Sequence, residues 1–207
     1  MTQTPAPTLC PSVAPSDELC LRYASGALDP ALHMLIEAHL AFSAQTRARV
    51  ARCRRLGGAM LAAESEAALA PGRLDQTLSL LDGAADAPAP RLAAALERSR
   101  WRFAGPGCRV APLPVAGSTL KSFAFRAGAG RAMLDHGHSG PEWTLVLEGG
   151  YFDESVAFAA GAFIENDAAT IHRSRADAKF GCLCVIATTA PLIAPGLAGA
   201  FARWAMR

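Results

Sequence analysis

Apolar residues along this chain follow a helical period in its first part and an alternating one in its second. Leu19, Cys20 and Tyr23 fall on one side of a short segment that Ser16 can cap and Gly26 can end. Asp29-Pro30 reads as a second helix start, followed by Leu32, Leu35, Ile36, His39 and Leu40 at helical spacing. A third helix, rich in Ala, Arg and Leu, is predicted over about 44–63. The pattern lapses over 64–72 and returns at Arg73 to Leu81 through Leu74, Leu78 and Leu81. Residues 82–90 are a Gly/Ala/Pro stretch where a domain boundary belongs.

Beyond that boundary come short alternating runs divided by glycines: Trp101 to Val110, Leu120 to Arg126, Trp143 to Leu147, Val156 to Phe158, Ala162 to Ile164 and Cys182 to Thr188. Many short strands with turns between them predict a sandwich or barrel. The expected fold class is therefore α+β in two domains, a small helical unit followed by an all-β unit. The expected boundaries are a flexible leader over 1–15, helices over 16–81, a linker over 82–100 and the β domain over 101–207.

Composition narrows the functional classes. A chain of 207 residues, 51% hydrophobic and 18% charged, can bury a core, and a net charge of +2 gives no footing for a nucleic-acid or membrane surface. The arginine-rich stretch Arg47, Arg49, Arg52, Arg54 and Arg55 lacks interleaved aromatic residues, so it reads as a solvated or acid-facing helix rather than a DNA-binding one. No apolar run is long enough to span a bilayer, and the first seventeen residues do not resemble an export signal. A cytoplasmic protein is expected, with its six cysteines as free thiols.

The candidate chemistry lies in the β domain. His136, His138 and Glu142 have H-x-H-x-x-x-E spacing, and His172 follows after a further strand region. Side chains two apart in extended backbone share a face, so His136 and His138 can grip one ion, and three imidazoles with one carboxylate complete a metal shell. Such donors suit one divalent metal per chain: zinc by preference, with Fe, Mn and Ni also compatible. A shell of this kind serves either a catalytic metal with an open position or a closed structural or sensing ion. Cys182 and Cys184 form a C-x-C whose two thiols face one side of a strand. Core residues are the favoured reading of that pair, and redox sensing requires exposed, low-pKa thiolates.

His136-Gly-His138-Ser-Gly-Pro-Glu142 with the following Trp143-Thr-Leu-Val-Leu-Glu148-Gly149, and Gly161-Ala-Phe with His172 beyond it, resemble the two motifs of a cupin, a small jelly-roll barrel. Glu165-Asn166-Asp167 stands where cupins usually carry a proline. Over most of its length the chain resembles the ChrR-type anti-sigma factors. The resemblance is carried by Ser16-Asp-Glu-Leu, Tyr23-Ala-Ser-Gly-Ala-Leu28, Ala38-His39-Leu-Ala, Trp101-Arg-Phe-Ala-Gly-Pro-Gly107, Asp153-Glu154 and Ala190-Pro-Leu192. It implies a helical domain that clamps an alternative sigma factor of the ECF type and a cupin that tunes the response to oxidative stress.

The same resemblance exposes a missing part. The family's helical domain holds zinc through two histidines and a C-x-x-C, and the corresponding places here are Ala14, His39, Ser43 and Thr46. Only His39 remains. Hydroxyls replace thiolates poorly as zinc ligands, so this site is expected to be empty and the helices to be held by Leu, Ile and Tyr packing. A substitute set from Cys10, Cys20 or Cys53 with His33 has no recognisable spacing. Ser43 can cap the helix after it. Leu19, Tyr23, Leu35 and Ile36 are candidate sigma contacts, unless the domain's own core occupies them. The rivals to an anti-sigma regulator are a cupin dioxygenase or isomerase using the same four metal ligands, and a stand-alone sensor that has lost sigma binding.

Overall fold

The computed structural model describes residues 8–9, 13–68, 70–82, 89–133, 136–137, 140–153, 156–167, 171–172 and 174–189. Its helices are α1 (Asp17–Ala24), α2 (Pro30–Phe42), α3 (Ala44–Ala62), α4 (Arg73–Asp82) and α5 (Ala89–Arg98). Its strands are β1 (Thr8–Leu9), β2 (Arg102–Phe103), β3 (Cys108–Pro112), β4 (Lys121–Ala127), β5 (His136–Gly137), β6 (Glu142–Asp153), β7 (Val156–Ala159), β8 (Phe163–Asn166), β9 (Ile171–His172), β10 (Ser174–Ala176) and β11 (Cys182–Thr188).

The helix starts use the caps the sequence offers. Ser16 Oγ accepts from the Leu19 N–H at 3.3 Å, Asp29 from the Ala31 N–H at 2.9 Å, and Ser43 Oγ from the Thr46 N–H at 3.1 Å. Each satisfies a backbone donor that the first helical turn leaves without an intrahelical acceptor.

β6 organises the β unit. It pairs antiparallel with β11 along most of its length, with β8 near its start and with β7 and β10 near its end. The sheet path runs β1-β7-β6-β11-β4-β3-β2. A register shift between Leu183 and Cys184, together with the positive φ of Gly149, bends the pairing where β6 passes from one set of neighbours to the other. A Cβ at Gly149 would stand 2.1 Å from the Gly181 carbonyl oxygen, so only glycine fits there.

Three stretches differ from the sequence expectation. Part of the expected linker is helical: α5 lays Leu92 in the core and packs against α2, an apolar stripe that the neighbouring Pro and Gly residues obscured. Thr8 and Leu9, within the expected leader, pair parallel with Val156 and Ala157 of β7. The run from Trp101 to Val110 is divided by the Gly105-Pro106-Gly107 turn into β2 and β3, which pair with each other.

The described residues form two apolar cores. One lies inside the β unit, around Val110, Phe123, Val146, Tyr151, Cys182 and Cys184. The other is shared: Leu19, Tyr23, Leu35 and Ile36 from the helices meet Leu145, Phe163 and Val185 from the strands. The two domains of the sequence reading therefore share a continuous core. Gly161 permits the closest approach, since a Cβ there would lie 2.9 Å from Phe42 Cβ at the end of α2.

Polar anchors fix the same interface. Glu165 accepts from the Ser16 N–H at 2.7 Å, tying the start of α1 to β8. Thus the residue that interrupts the usual cupin turn has a docking role. Asp29 accepts from the Thr119 N–H at 2.8 Å and also bonds Ser118. Burial alone would raise the Asp29 pKa, but the hydrogen bonds from Ser118, Thr119 and Ala31 outweigh it and hold the carboxyl below its ordinary 3.8.

Candidate functional site

In the cupin region, β5 and β9 pair antiparallel with His136 directly opposite His172. Residues opposed in this way share one face of the ladder, so the two histidine positions, 36 apart in sequence, become neighbours. Glu142 opens β6 and is 3% exposed, with Thr144 Oγ1 3.5 Å from its Oε1. His138 lies outside the described residues. Among those described, no three His, Cys, Asp or Glu side chains gather closely enough to hold a metal. The donor chemistry nonetheless fits a divalent ion: two histidine positions brought opposite each other, and a carboxylate sequestered from water nearby in sequence.

The interior next to this region is mainly apolar, which limits the acid-base chemistry it can support. Burial pushes the Tyr151 phenol well above its ordinary 10.0. Contact with the Cys182 thiol, and then burial, hold the Cys184 thiol well above its ordinary 9.0. Both thiols belong to the inner core, and Cys184 Sγ donates to the Phe125 carbonyl at 3.9 Å. Cys182 and Cys184 are both buried in this core, and a thiol shielded in this way is poorly placed to meet an oxidant.

The helical unit contains a different arrangement at His39. This imidazole is 1% exposed, with its Nε2 3.0 Å from Thr46 Oγ1. Thr46 Oγ1 in turn donates to Ser43 Oγ at 2.9 Å, and the Phe163 ring meets the imidazole edge-on at 5.7 Å. Burial lowers the His39 pKa below 6.5; the nearby Gly161 carbonyl opposes this more weakly, and no well-formed hydrogen bond reaches Nδ1. A neutral imidazole, two hydroxyls and an aromatic edge fill the place with no thiolate among them. These residues do not fit zinc.

No substitute cluster forms among the described residues. Cys20 donates to the Pro15 carbonyl, and His33 stacks on Tyr23 with ring centroids 4.6 Å apart. Cys10 lies outside the described residues. The arginines of α3 are partly engaged within the chain: Arg49 pairs with Asp17 and donates to the Pro15 carbonyl at 2.9 Å, while Arg54 lies over the Tyr23 ring at 5.6 Å.

The suggested sigma contacts Leu19, Tyr23, Leu35 and Ile36 all lie in the shared core, where their apolar surface is already consumed by the chain itself. The exposed apolar surface is elsewhere. Every described residue from Arg54 to Ser79 is exposed, including Leu56, Met60, Leu61, Leu74 and Leu78. Leu61 reaches 75% exposure. This segment spans the second half of α3 and most of α4. Its signal was present in sequence as the helical spacing of Leu74 and Leu78, but spacing alone does not say whether a stripe faces its own core.

Residues 90–191 match the family described as the ChrR cupin-like domain. The anti-sigma-E factor ChrR of Cereibacter sphaeroides is 35% identical over 191 residues, which cover 86% of this chain and 89% of that protein. This chain belongs to the ChrR family of anti-sigma factors. In the crystal structure of Rhodobacter sphaeroides SigE in complex with the anti-sigma ChrR, a matching chain superposes with a TM-score of 0.73 at 33% identity. That match covers 87% of this chain and the whole of the other.

Membership in the ChrR family makes this chain a regulator rather than an enzyme and supports the helical-plus-cupin architecture. It is a ChrR-type chain in which Ser43 and Thr46 join His39 in a hydrogen-bonded chain within the helical unit. None of the described helices is long and apolar enough to cross a membrane.

Proposed function

We propose that this protein is a cytoplasmic anti-sigma factor that binds an alternative sigma factor of the ECF type and withholds it from RNA polymerase. The observation that carries this reading is the exposure of large apolar side chains on two successive helices, Leu56, Met60 and Leu61 on α3 and Leu74 and Leu78 on α4. Large apolar side chains left in water along two successive helices are the kind of surface that a protein partner covers. The relative solved with SigE supplies the partner class, and direct contact with nucleic acid or membrane has no part in this reading.

The cupin holds one divalent metal, zinc by preference, through His136, His138, Glu142 and His172. When bound, such an ion supplies a fixed cross-link between strands that a change of ligand or oxidant can weaken. Oxidative stress then acts through the cupin by changing the relative stability of the bound and released states. The shared core and the Ser16–Glu165 contact join the cupin to the helices, giving a direct physical route for that change.

Co-purification with candidate ECF sigma factors tests this function. The wild-type chain should retain one of them, and Leu74→Glu with Leu78→Glu should weaken retention by about 30-fold or more, as expected for losing a cluster of buried apolar contacts. The same double substitution should leave the thermal unfolding midpoint nearly unchanged because both positions are exposed. Failure of the wild-type chain to retain any ECF sigma factor, or full retention by the double variant, would sink the proposed surface or its partner.

A further inference from the structure

We infer that Cys20 and Cys53 are a peroxide-reactive thiol pair whose oxidation joins α1 to α3 through a disulfide bond. The two helices run parallel and are pinned at two levels. Arg49 Nε of α3 donates to the Asp17 carboxylate of α1 at 2.9 Å, and further along both helices Arg54 lies over the Tyr23 ring at 5.6 Å. Cys20 falls between Asp17 and Tyr23, and Cys53 between Arg49 and Arg54, so both occupy the same level of the interface. Cys53 also continues the stripe of Thr46 and Val50, the side chains that α3 buries.

The two thiols differ in their access to water. Cys20 is wholly buried and donates to the Pro15 carbonyl at 3.9 Å, whereas Cys53 is partly exposed. Burial pushes the Cys20 thiol above its ordinary 9.0; Arg49 opposes this, and Cys53 reinforces it ahead of Asp17, which stands one turn away on the same helix. Electrostatic influence falls with separation, which sets the Cys53 sulfur beside Cys20 across the interface. The Arg49 guanidinium acts on both thiols, and a cation there favours the thiolate that attacks a peroxide.

The order of the chemistry follows from that exposure. The Cys53 sulfur attacks the O–O bond of hydrogen peroxide, becomes a sulfenic acid and releases one water. The Cys20 sulfur then attacks the Cys53 sulfur; the S–S bond forms, the S–O bond breaks, and the sulfenic hydroxyl leaves with the Cys20 proton as a second water. Each thiol is oxidised by one electron and the peroxide is reduced by two, so no other reactant is needed. The bond closes a loop that contains α2 and thereby restricts the unfolded chain. It requires neither the proposed sigma contact nor a metal in the cupin.

The test exposes the fully reduced full-length chain to hydrogen peroxide, alkylates the remaining thiols and locates the bonded sulfurs by tandem mass spectrometry of its peptides. The Cys20–Cys53 bond should form at least about tenfold faster than any other disulfide, as expected for thiols held together by the fold, and this preference should vanish in guanidinium chloride. Cys20→Ala leaves the Cys53 sulfenic acid without its partner and should raise dimedone labelling of Cys53 at least about threefold over the wild type. Cys53→Ser, at a partly exposed position, should keep the fold and leave the shielded Cys20 unoxidised under the same exposure. Absence of the Cys20–Cys53 bond in the folded chain, the same preference in the unfolded chain, unchanged dimedone labelling in folded Cys20→Ala, or oxidation of Cys20 in Cys53→Ser would overturn the assignment.

Discussion

His39 and the opposed His136 and His172 positions put histidines of one small protein in two different surroundings. At His39 the nearest polar partner is Thr46, and the hydroxyl chain continues to Ser43 within the helices. At the cupin site the antiparallel register of β5 and β9 sets two histidine positions against each other, and the nearby sequence provides a buried carboxylate. An imidazole can be satisfied by either surroundings. The donors around it decide whether it becomes a hydrogen-bonded structural group or part of a metal shell.

The sharpest way to break this comparison is to measure metal on each side of it. Purified protein should carry one divalent ion per chain, and His172→Ala or Glu142→Ala should lower metal affinity by more than about 100-fold, a larger loss than removing an outer-shell partner brings. His39→Ala should leave the metal content unchanged by elemental analysis. Two tightly bound ions per wild-type chain, or loss of metal in His39→Ala, would erase the distinction.

Stability should reverse the ranking. His39→Ala removes a buried ring from between Thr46 and Phe163 and should cost about 2–4 kcal/mol in denaturant unfolding, mostly through the cavity and the stranded hydroxyl. The charge state of this histidine adds a pH dependence. Its folded pKa lies below the ordinary 6.5, so the unfolded chain binds the proton more readily. The neutral-histidine contribution is therefore complete above that value, and it declines as pH falls through 6.5 toward the lower folded pKa. The decline has a limiting slope of about 1.4 kcal/mol per pH unit for one proton. His39→Gln should lose this component of the pH profile; an unchanged profile would place the titration elsewhere.

The smallest effect should come from Thr46→Val. It keeps the side-chain shape but removes the hydroxyl between His39 and Ser43, with an expected loss of about 1 kcal/mol by chemical denaturation. No measurable change would mean that packing against Phe163, rather than the hydroxyl chain, holds the imidazole.

Much of the fold could be read from local rules. Ser16, Asp29 and Ser43 cap the helices they were expected to cap, and β11 spans the expected Cys182 to Thr188 run. β5 and β9 were less legible because each is two residues long, and their pairing depends on a partner far away in sequence. Likewise, α5 shares its neighbourhood with Gly, Ala and Pro residues that made 82–100 look like a linker. Periodicity located the apolar stripes of α1, α2 and α4 but could not assign the surfaces they would meet. Leu35 is buried against the cupin, whereas Leu74 faces solvent.

Residue identities and their spacing were enough to establish a helical unit before a cupin, four candidate ligands in the cupin, and the replacement of thiolates by Ser43 and Thr46 after His39. Those properties are written in residue identity, short spacing and capping chemistry. Tertiary structure decided that the two units share a core, that Glu165 holds Ser16, that the C-x-C thiols are buried, and that α1 and α3 bring Cys20 and Cys53 to one interface. Each depends on contacts between residues distant along the chain, where burial and donor geometry arise only after the strands and helices have packed.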